Sequence, residues 1–585
     1  MKNHSQFHFT RLGSCSLLVL LTIFVLDTPM PSRAMPLASI TFPSGAIVGN
    51  GNDFATAVLR DPWDMNEASD IWEAYNMSNV LFANGKLSFT TGADPAFWLL
   101  HQGYGSDLNI GKTGVTYPIN ADYYRVFSFR MNSQQAGFAY IYWYKDQDVS
   151  KFGVTASPIT IQPGWHVYTV DLKNIGTKGS LAWNGQVAGL RFDPLDKAGV
   201  TIEIDWVRLT PQDTSHVLPI TWSGVSGSTL NLYLADNTSA CDGPQIASIT
   251  SPASAGTFNW GAAVGGDLRF PYPLPLAIAL GNYYVCGRVG SGSPFYSAGP
   301  LTVKGPPILW FTYPSYLTGP DYATNAGVPW NMNPNTAFTN LGGLNSYSFS
   351  GGQFHGINSG GDPYLRFNTP VPLDTNKYKY FSIRMYLEGT FDLFGGWVAR
   401  VFWYSVPEHP STTDDITIFP GWNTYTVDLT KAALEPGGSP WIADSWKWFR
   451  FDPNENIRGV PWTFHIDYAL LTGDPTGKID SQVPIWYELS ETSGVTVTLY
   501  YDTDTSPGGE TPIMVYTPQP ATGPYFVYLP TVLRDSSRDL PEPSGILRVW
   551  DTTSVPEGRY YIRARVSDGY NTTYWYSDVP FVLTN

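Results

Sequence analysis

The sequence has little charge for its length and little of it is positive. Charged residues make up 14% of the 585 residues, and 34 Lys and Arg stand against 49 Asp and Glu, for a net charge of −15. Binding to nucleic-acid phosphates needs clustered Lys and Arg, and no such cluster occurs. The composition therefore excludes nucleic acid as a partner and disfavours anionic membranes and acidic polysaccharides.

Several enzyme signatures are missing. There is no His-Glu-x-x-His and no Gly-x-Ser-x-Gly motif, and Ser106 stands where a P-loop ending in Lys112 and Thr113 would need glycine. The histidines outside the amino-terminal segment are scattered without a metal-ligand spacing: His101, His166, His216, His355, His409 and His465. We expect a protein that is not an enzyme. A carboxylate pair for glycoside hydrolysis stays open, because it depends on a separation in space.

Long hydrophobic runs are absent except near the amino terminus. The apolar residues 17–26 follow Lys2 and Arg11, and Ser32 and Ala34 fit cleavage after Ala34. This pattern predicts a secretory signal peptide over residues 1–34 and a secreted or cell-surface protein. An uncleaved anchor is the alternative, although the run is short for a membrane span. No later stretch predicts membrane insertion.

Cysteine is scarce, with 3 residues in the chain. Cys241 and Cys286 remain after the predicted signal peptide. In an exported chain this pair predicts one disulfide, with two buried free thiols as the alternative.

Aromatic residues, glycine and proline are abundant. Aromatics reach 15%, with 56 Gly and 47 Pro. Short stretches alternate polar and apolar residues: Phe127, Phe129 and Met131 are separated by Ser128 and Arg130. Aromatic strands broken by Gly and Pro turns predict an all-β protein with one buried face per strand.

The chain repeats itself at an offset of roughly 260 residues. "ITIQPGWHVYTVDL" at 159–172 returns as "ITIFPGWNTYTVDL" at 416–429, and "LRFDP" at 190–194 returns as "FRFDP" at 449–453. A unit this long is a domain or a domain pair. Weaker matches join 218–236 to 483–502. We predict a duplicated tandem in which a jelly-roll β-sandwich precedes an immunoglobulin-like or fibronectin-type one: 35–213, 214–305, 306–475 and 476–585.

A polar set recurs on the long modules. Arg191 and Asp193 alternate with apolar residues on one strand, as Arg450 and Asp452 do in the second copy. The predicted ligand-binding residues are Arg130, Tyr140, Tyr142, Tyr144, Arg191, Asp193, Arg384, Arg400, Phe402, Tyr404, Arg450 and Asp452. If their strands are neighbours, one sheet face carries all of them.

This combination suits a sugar. A pyranose lays its C–H face on an aromatic ring, and its hydroxyls accept from Arg and donate to Asp. The alternative is a structural Arg–Asp pair among packed rings. Trp165 and Trp422, each after Pro-Gly, are either loop-tip binding rings or core residues, and their presence in both copies favours the core.

Carboxylates in apolar strands need partners. Asp205 and Asp467 lie in the last strand of their modules, and Asp64 and Asn331 near the opposite end offer further oxygens. A structural Ca²⁺, which takes six to eight oxygen ligands, is one candidate partner. Hydrogen bonding to loop amides is the other.

The long modules resemble a known family. "LRFDP" with "EIDWVRL", and "FRFDP" with "HIDYALL", each following "PGW" and "YTVDL", are similar to the terminal strands of bacterial carbohydrate-binding-module-like, galactose-binding-like jelly rolls. The resemblance implies a glycan site on the concave sheet or at loop tips, and a structural calcium. Asp64 becomes Asn331 and Tyr140 becomes Arg400, so the two copies need not act alike.

Three functions remain at this point. The first is a secreted, non-enzymatic protein that binds polysaccharide through its long modules, with the short modules as spacers. The second is a structural surface or adhesion subunit that self-assembles through exposed aromatics. The third is a polysaccharide lyase or hydrolase on a jelly-roll scaffold.

Overall fold

A computed structural model describes residues 38–49, 53–102, 113–211, 218–241, 243, 245–260, 281–332, 336–360, 362–389, 397–406, 410–432, 434–455, 462–476, 482–505, 508–518 and 545–584. The predicted signal peptide lies outside this range. Nearly all of the regular secondary structure in the described residues is strand, which confirms the all-β prediction. No helix among these residues has the length and apolarity to span a membrane.

The described residues of the first copy form 21 strands and two helical turns. In order, the strands are β1 (Ser39–Phe42), β2 (Ala46–Gly49), β3 (Glu73–Phe82), β4 (Leu87–Leu100), β5 (Ile119–Asn120), β6 (Tyr124–Ser133), β7 (Gly137–Tyr144), β8 (Gly153–Thr155), β9 (Ile159–Ile161), β10 (Gly164–Asp171), β11 (Thr177–Gly179), β12 (Gln186–Val187), β13 (Gly189–Asp193), β14 (Thr201–Pro211), β15 (Leu218–Ser223), β16 (Thr229–Ala235), β17 (Gln245–Thr250), β18 (Gly256–Trp260), β19 (Gly281–Val289), β20 (Phe295–Tyr296) and β21 (Leu301–Lys304). A π-helical turn spans Ala55–Leu59 and a 3-10 turn spans Ala68–Asp70.

The second copy follows the same order. Its strands are β22 (Leu309–Tyr313), β23 (Phe338–Gly342), β24 (Leu344–Ser350), β25 (Gln353–Asn358), β26 (Tyr364–Phe367), β27 (Tyr380–Leu387), β28 (Trp397–Tyr404), β29 (Ser411–Thr412), β30 (Ile416–Ile418), β31 (Gly421–Asp428), β32 (Trp448–Asp452), β33 (Thr463–Thr472), β34 (Gln482–Leu489), β35 (Thr496–Asp502), β36 (Thr511–Tyr516), β37 (Ile546–Asp551), β38 (Gly558–Ser567), β39 (Thr572–Tyr576) and β40 (Phe581–Leu583). Helix α1 spans Tyr322–Asn325, and a 3-10 turn spans Trp441–Ala443.

The first long module is a sandwich whose two sheets share β4. The first half of β4 pairs with β14, which continues to β6 and β10, while its second half pairs with β13, which continues to β7 and β8. The two sheets face each other through aromatic rings: the centroids of Phe129 on β6 and Phe192 on β13 lie 4.6 Å apart. β6 and β13 therefore lie in opposite sheets.

The second long module divides the corresponding strand. β25 joins the sheet β24-β25-β33-β27-β31, and β26 joins the sheet β23-β26-β32-β28-β29. Phe381 of β27 meets Phe449 of β32 across the sandwich, with ring centroids 5.0 Å apart. Apolar residues turn inward and polar residues outward, as the alternation of the sequence requires.

Both cores contain the same tryptophan pair. Trp143 and Trp183 meet edge to face at 5.4 Å, and Trp403 and Trp441 do so at 5.5 Å. The indole N–H of Trp143 donates to the carbonyl of Leu181 at 3.1 Å, so a buried donor is satisfied. The duplication has preserved the interior of the sandwich down to individual rings.

Each short module contains a strand that precedes the long module. β1 pairs with β15, β2 pairs in parallel with β21, and β22 pairs with β34. Each long module is thus inserted between strands of a short one. The boundaries predicted at residues 35 and 306 assign β1, β2 and β22 to the long modules and are corrected here. Pairings such as Ser39 with Ser223 leave no local trace in the sequence.

The first short module contains the disulfide. Cys241 and Cys286 are bonded, with their Cα atoms 5.9 Å apart, and both side chains are buried. The predicted disulfide is confirmed.

The linker between the copies is held by the second short module. Nδ2 of Asn571 donates to the carbonyls of Lys304 and Gly305 at 3.2 and 3.1 Å, and the Thr573 hydroxyl donates to the carbonyl of Pro307 at 2.7 Å. Nζ of Lys304 lies 3.2 Å from the buried carboxylate of Asp568. The linker is therefore packed against a sandwich and is not a free tether.

Asp70 predicts a pH-dependent stability. Burial, together with the charges of Asp61 and Asp64, raises its pKa to about 9. The folded protein therefore keeps a proton that the unfolded chain loses near pH 4, so the stability falls as the pH rises from about 4 to about 9. At about 1.4 kcal/mol per pKa unit, even half this shift costs about 3.5 kcal/mol.

We expect Asp70→Asn to raise the melting temperature at pH 9 and to have little effect at pH 5. Asparagine keeps an oxygen that accepts the backbone N–H of Glu67, as the Asp70 carboxyl does at 3.3 Å. Scanning calorimetry at pH 5, 7 and 9 measures the difference. Asp146→Asn, at an exposed position, is the control. An equal gain at pH 5 and pH 9 would contradict an ionisation effect.

Candidate functional site

A row of aromatic and imidazole side chains crosses the outer face of the sheet that contains β25, β33, β27 and β31. His355 lies opposite His465, His465 opposite Tyr386, and Tyr386 opposite Trp422. Directly opposed residues on antiparallel strands share a face, so four distant positions form one row. Three interstrand spacings give the row a length of about 14 Å.

The row forms one wall of an open groove of about 630 Å³. We call it the Trp422 groove, and its lining residues are Gln353, His355, Tyr386, Glu388, Trp422, Thr463 and His465. Trp422 is 37% exposed. The presence of a tryptophan here in both copies favoured a core position for Trp422 and for Trp165. The structure shows that this interpretation is wrong.

The rings of the Trp422 groove contact one another. The centroids of Tyr386 and Trp422 lie 5.6 Å apart, and Tyr386 stacks on His465 at 5.4 Å with an interplanar angle of 12°. The guanidinium of Arg384 lies 4.6 Å from the Trp422 ring centroid and forms an ion pair with Asp467. These contacts hold Trp422 in place while part of its face stays open to solvent.

The two histidines form a direct pair. Nδ1 of His355 and Nδ1 of His465 are 2.8 Å apart, and Nε2 of His355 lies 3.2 Å from the carbonyl oxygen of Ser350. Burial and the neighbouring His355 lower the pKa of His465, while Glu388 opposes the shift. The His465 ring is therefore neutral at physiological pH, and both imidazoles offer hydrogen-bonding nitrogens to the groove.

The first long module has a polar row at the same place. Ser88, Glu203, Asn132 and Trp165 take the positions of His355, His465, Tyr386 and Trp422. Nδ2 of Asn132 donates to Glu203 at 2.8 Å, and Nζ of Lys86 lies 4.7 Å from the Trp165 centroid. Arg130 stacks on Trp165 at 4.7 Å, as Arg384 does on Trp422. Both copies thus have the tryptophan, the arginine that stacks on it and the aspartate paired with that arginine. The other three positions of the row differ between the copies.

The predicted Arg–Asp residues divide between the two sheets. Arg130 and Arg384 lie at the tryptophan rows, whereas Arg191, Asp193, Arg450 and Asp452 lie on β13 and β32 in the opposite sheets. The condition for a single sheet face to carry all of them, that their strands are neighbours, is not met. Alternation shows which side chains share a strand face, but not which sheet the strand joins.

Arg191 is held within its own sheet. Its guanidinium donates to both oxygens of Asp193 at 2.7 and 2.8 Å and lies between the rings of Trp98 and Tyr142, at 5.2 and 4.8 Å. Asp94 adds a carboxylate at 3.8 Å. The side chain of Asp193 is 8% exposed. The predicted ligand residues Arg191 and Asp193 are thus paired with each other.

The second copy repeats this cluster more tightly. Arg450 donates to both oxygens of Asp452 and to Asp362. The rings of Tyr364 and Phe402 lie 4.5 and 4.7 Å from the guanidinium. The Asp452 side chain is fully buried. Burial raises the pKa of Asp452, and Arg450 opposes this shift.

The remaining predicted aromatics flank these clusters. Tyr140 and Tyr142 lie half-buried opposite Asp193 and Arg191, and Tyr144 is buried. In the second copy Tyr404 is buried. Arg400 makes its own ion pairs, with Asp415 at 2.7 Å, Glu435 at 3.1 Å and Glu455 at 4.0 Å. None of these residues lines the Trp422 groove.

Asp205 and Asp467 have arginine partners. The register of β14 on β6 shifts at Asp205, which is the extra residue of a β-bulge, and β33 has the same bulge at Asp467. A bulge re-aims a side chain, and here it brings each carboxylate against Arg130 or Arg384.

These carboxylates do not fit a calcium ion. Asp64 and Asp205 line a cavity of about 510 Å³ together with Arg130 and Arg208, whose charges repel a dication. Burial raises the pKa of Asp64, and the Asp205 charge adds to the shift. Asn331, the counterpart of Asp64, has a buried Oδ1 without a hydrogen-bond partner in the described part of the chain.

Two other acidic groups come together among the described residues. Asp362, Asp452 and Glu455 form one, and Asp414, Asp415 and Glu435 form the other, each with ligand atoms within 4.8 Å. Neither includes Asp64, Asp205 or Asp467. Arg450 already binds the first group and Arg400 the second.

Sequence reasoning missed the Trp422 groove. The pattern Arg384-Met385-Tyr386 places Tyr386 on the polar face beside Arg384, and this was a readable signal. Asp94 and Asp362 were also missed, although each stands in a repeated Gly-x-Asp-Pro stretch, at 92–95 and 360–363. The pairing of His355 with His465 has no signal, because it depends on the register of β25 on β33.

No protein-family model matches the sequence, and no curated protein matches it. The structure is similar to a point mutant of a carbohydrate-binding module of family 29, at 11% identity and a TM-score of 0.17, over 28% of this chain and 92% of that one. A second mutant of a family-29 module, in complex with mannohexaose, matches at 14% identity and a TM-score of 0.16, over 24% and 81%.

A third similar structure is an M60 catalytic domain with two CBM51 domains, from ZmpB of Clostridium perfringens. It matches at 9% identity and a TM-score of 0.15, over 66% of this chain and 34% of that one. Likenesses with TM-scores this low do not identify the family or the ligand of this chain, whose all-β sandwich architecture is established by its strand pairing.

Proposed function

We propose that this chain is an exported, non-enzymatic protein that binds a neutral polysaccharide in the Trp422 groove. The main support for this proposal is the row of Trp422, Tyr386 and His465 on the solvent side of three neighbouring strands. Sugar rings present apolar C–H faces to such aromatic surfaces. A row of about 14 Å accommodates consecutive sugars of a chain.

Polar groups at the edges of the row supply hydrogen bonds. Gln353 offers a donor and an acceptor, Glu388 an acceptor, and Arg384 a fork of donors beside Trp422. Sugar hydroxyls both donate and accept, so this mixture suits them. The net charge of −15 favours a neutral polymer over an acidic one.

The proposal of binding without cleavage is supported by the composition of the groove. Glycoside hydrolysis uses two carboxyl groups on either side of the scissile bond. Glu388 is the one carboxylate among the seven lining residues. Asp467, the other acid nearby, is engaged by Arg384.

Export is proposed from the amino-terminal pattern, and the Cys241–Cys286 disulfide agrees with an oxidising compartment. The packed linker and the inserted long modules support a role for the short modules in fixing the positions of the two long ones.

Affinity electrophoresis of the whole chain through gels containing mannan, xylan, soluble glucan or galactan tests the proposal. We expect at least one polymer to retard the protein, with calcium and with EDTA alike. Retardation by none of them in either condition would overturn it. Reducing-end analysis of the same polymers, and of a uronic-acid polymer, tests for cleavage, and released products would indicate an enzyme.

A further inference from the structure

We propose that His355 and His465 form a binding site for a divalent transition-metal ion, such as Zn²⁺ or Cu²⁺. The proposal is independent of polysaccharide binding. It rests on the two Nδ1 atoms, which converge to 2.8 Å from adjacent strands at the surface of the groove.

The separation of the two nitrogens is that of neighbouring metal ligands. With metal–nitrogen bonds of roughly 2.0 Å, two adjacent ligands lie about 2.8 Å apart in a square plane and about 3.3 Å apart in a tetrahedron. The observed 2.8 Å matches the first geometry, and a small rotation of the His355 ring reaches the second. Imidazole nitrogen suits Zn²⁺, Cu²⁺ and Ni²⁺.

Hydrogen bonding prepares His355 as a ligand. Its Nε2 lies 3.2 Å from the carbonyl oxygen of Ser350, and because a carbonyl can only accept, Nε2 carries the proton. In this tautomer the ring lone pair is on Nδ1, which faces Nδ1 of His465. Metal-binding histidines usually donate their second ring N–H to such an acceptor, which fixes the tautomer.

His465 supplies the second nitrogen. Without metal, its Nδ1–H donates to the Nδ1 lone pair of His355. When a metal binds, this proton moves through solvent to Nε2 of His465, so that one hydrogen bond is exchanged for two coordination bonds. Tyr386 stacks on the His465 ring and keeps its plane fixed. Glu388 interacts electrostatically with His465 from the same groove, and solvent has access to the remaining coordination positions.

The first copy provides an internal comparison. Ser88 and Glu203 occupy the positions of His355 and His465, and Glu203 is bound by Asn132. The converging nitrogens thus belong to the second copy alone. The substitution His355→Ser introduces the residue that the first copy uses at this position.

Calorimetric titration of the whole chain with Zn²⁺ tests the site. The protein is purified with a tag that contains no histidine, so that the tag does not bind the metal. We expect His355→Ser and His465→Gln each to remove one equivalent of bound metal or to weaken it by at least about tenfold. His166→Gln removes a histidine that contacts the carbonyl of Pro163 and should leave binding unchanged. Electron paramagnetic resonance of the Cu²⁺ complex should show coupling to two imidazole nitrogens.

Unchanged zinc binding in folded variants of both histidines would overturn the proposal, as would a Cu²⁺ spectrum with fewer than two imidazole nitrogens. Circular dichroism checks the fold of each variant. If neither variant folds, the Cu²⁺ spectrum of the unsubstituted chain tests the proposal, because it reports the number of imidazole nitrogens bound to the metal. Polysaccharide binding is measured in EDTA, so the failure of the metal site and the failure of the proposed function give different results.

Discussion

Replacing Trp422 with alanine is expected to weaken polysaccharide binding by about 30-fold. Truncating an aromatic residue that carries much of a binding energy costs about 2 kcal/mol or more, and 1.4 kcal/mol is a factor of ten in affinity. Trp422 has an exposed ring face and a place at one end of a row of rings. Its loss removes the stacking surface and leaves the hydrogen-bonding edges.

The matched control is Trp165→Ala in the first copy. Trp165 has the same strand position and the same stacked arginine, but its row continues with Asn132 and Glu203. We expect a change of less than threefold for this variant, on the order of 0.5 kcal/mol or less. Isothermal titration with the polymer identified by electrophoresis measures both variants. Equal losses in both would place binding in both copies, and no loss for Trp422→Ala would exclude the Trp422 groove as the site.

The fold should tolerate Trp422→Ala. The side chain lies outside the hydrophobic core, and Arg384 keeps its ion pair with Asp467 when the ring is removed. Thermal melting of the variant should therefore stay close to that of the unsubstituted protein. A large fall in melting temperature would indicate a structural role for the ring and would remove the basis of the comparison.

Replacing Arg450 with methionine is expected to lower the free energy of unfolding of the second long module by about 3 kcal/mol. Arg450 is the partner of Asp452, whose side chain is fully buried. Without the guanidinium, the carboxylate has Glu455 as a neighbour and must either stay charged in a buried site or take up a proton. Either outcome costs stability.

The deficit should grow with pH. Burial raises the pKa of Asp452, so the folded state binds a proton that the unfolded chain releases near pH 4, and removing Arg450 enlarges this difference. A raised pKa lowers the stability as the pH increases. We expect a smaller loss at pH 5 than at pH 8, measured by denaturant unfolding.

The double variant Arg450→Met with Asp452→Asn is the control. It removes both charges, and replacing a buried pair is often close to neutral where breaking it is not. We expect it to recover most of the lost stability. Polysaccharide affinity should be unchanged in both variants, because neither residue lines the Trp422 groove. A loss of affinity in the folded double variant would instead support the ligand-binding role that the sequence predicted for these residues.

Local chemistry explains what could be predicted about the clusters. Strict alternation places Arg191 and Asp193 on one strand face, and the structure shows the bidentate pair that this spacing permits. The two available cysteines form the predicted bond. The first inference depends on residues that are close in sequence, and the second on the presence of a single pair of cysteines after the predicted signal peptide. Neither needed tertiary information.

The calcium-ligand and core-tryptophan assignments overlooked the same partner, Arg130, which contacts both Asp205 and Trp165. A β-bulge at Asp205 interrupts the two-residue period, and the carboxylate that looks buried in sequence meets Arg130. The tryptophan occurs in both copies, as Trp165 and Trp422, and each ring stacks on an arginine outside the hydrophobic core. A residue that recurs in both copies has a similar environment in each, but the repeat does not show whether that environment is the core or the surface.

An all-β, duplicated protein can be recognised from the amino-acid sequence, because alternation and long internal repeats are properties of the chain alone. The sheet to which each strand belongs follows from the folded structure, which separates Arg130 from Arg191, pairs Ser39 with Ser223 and sets His355 beside His465. Backbone hydrogen bonds between strands are the same for every residue type except proline, so register and sheet membership are set by packing of the whole sandwich.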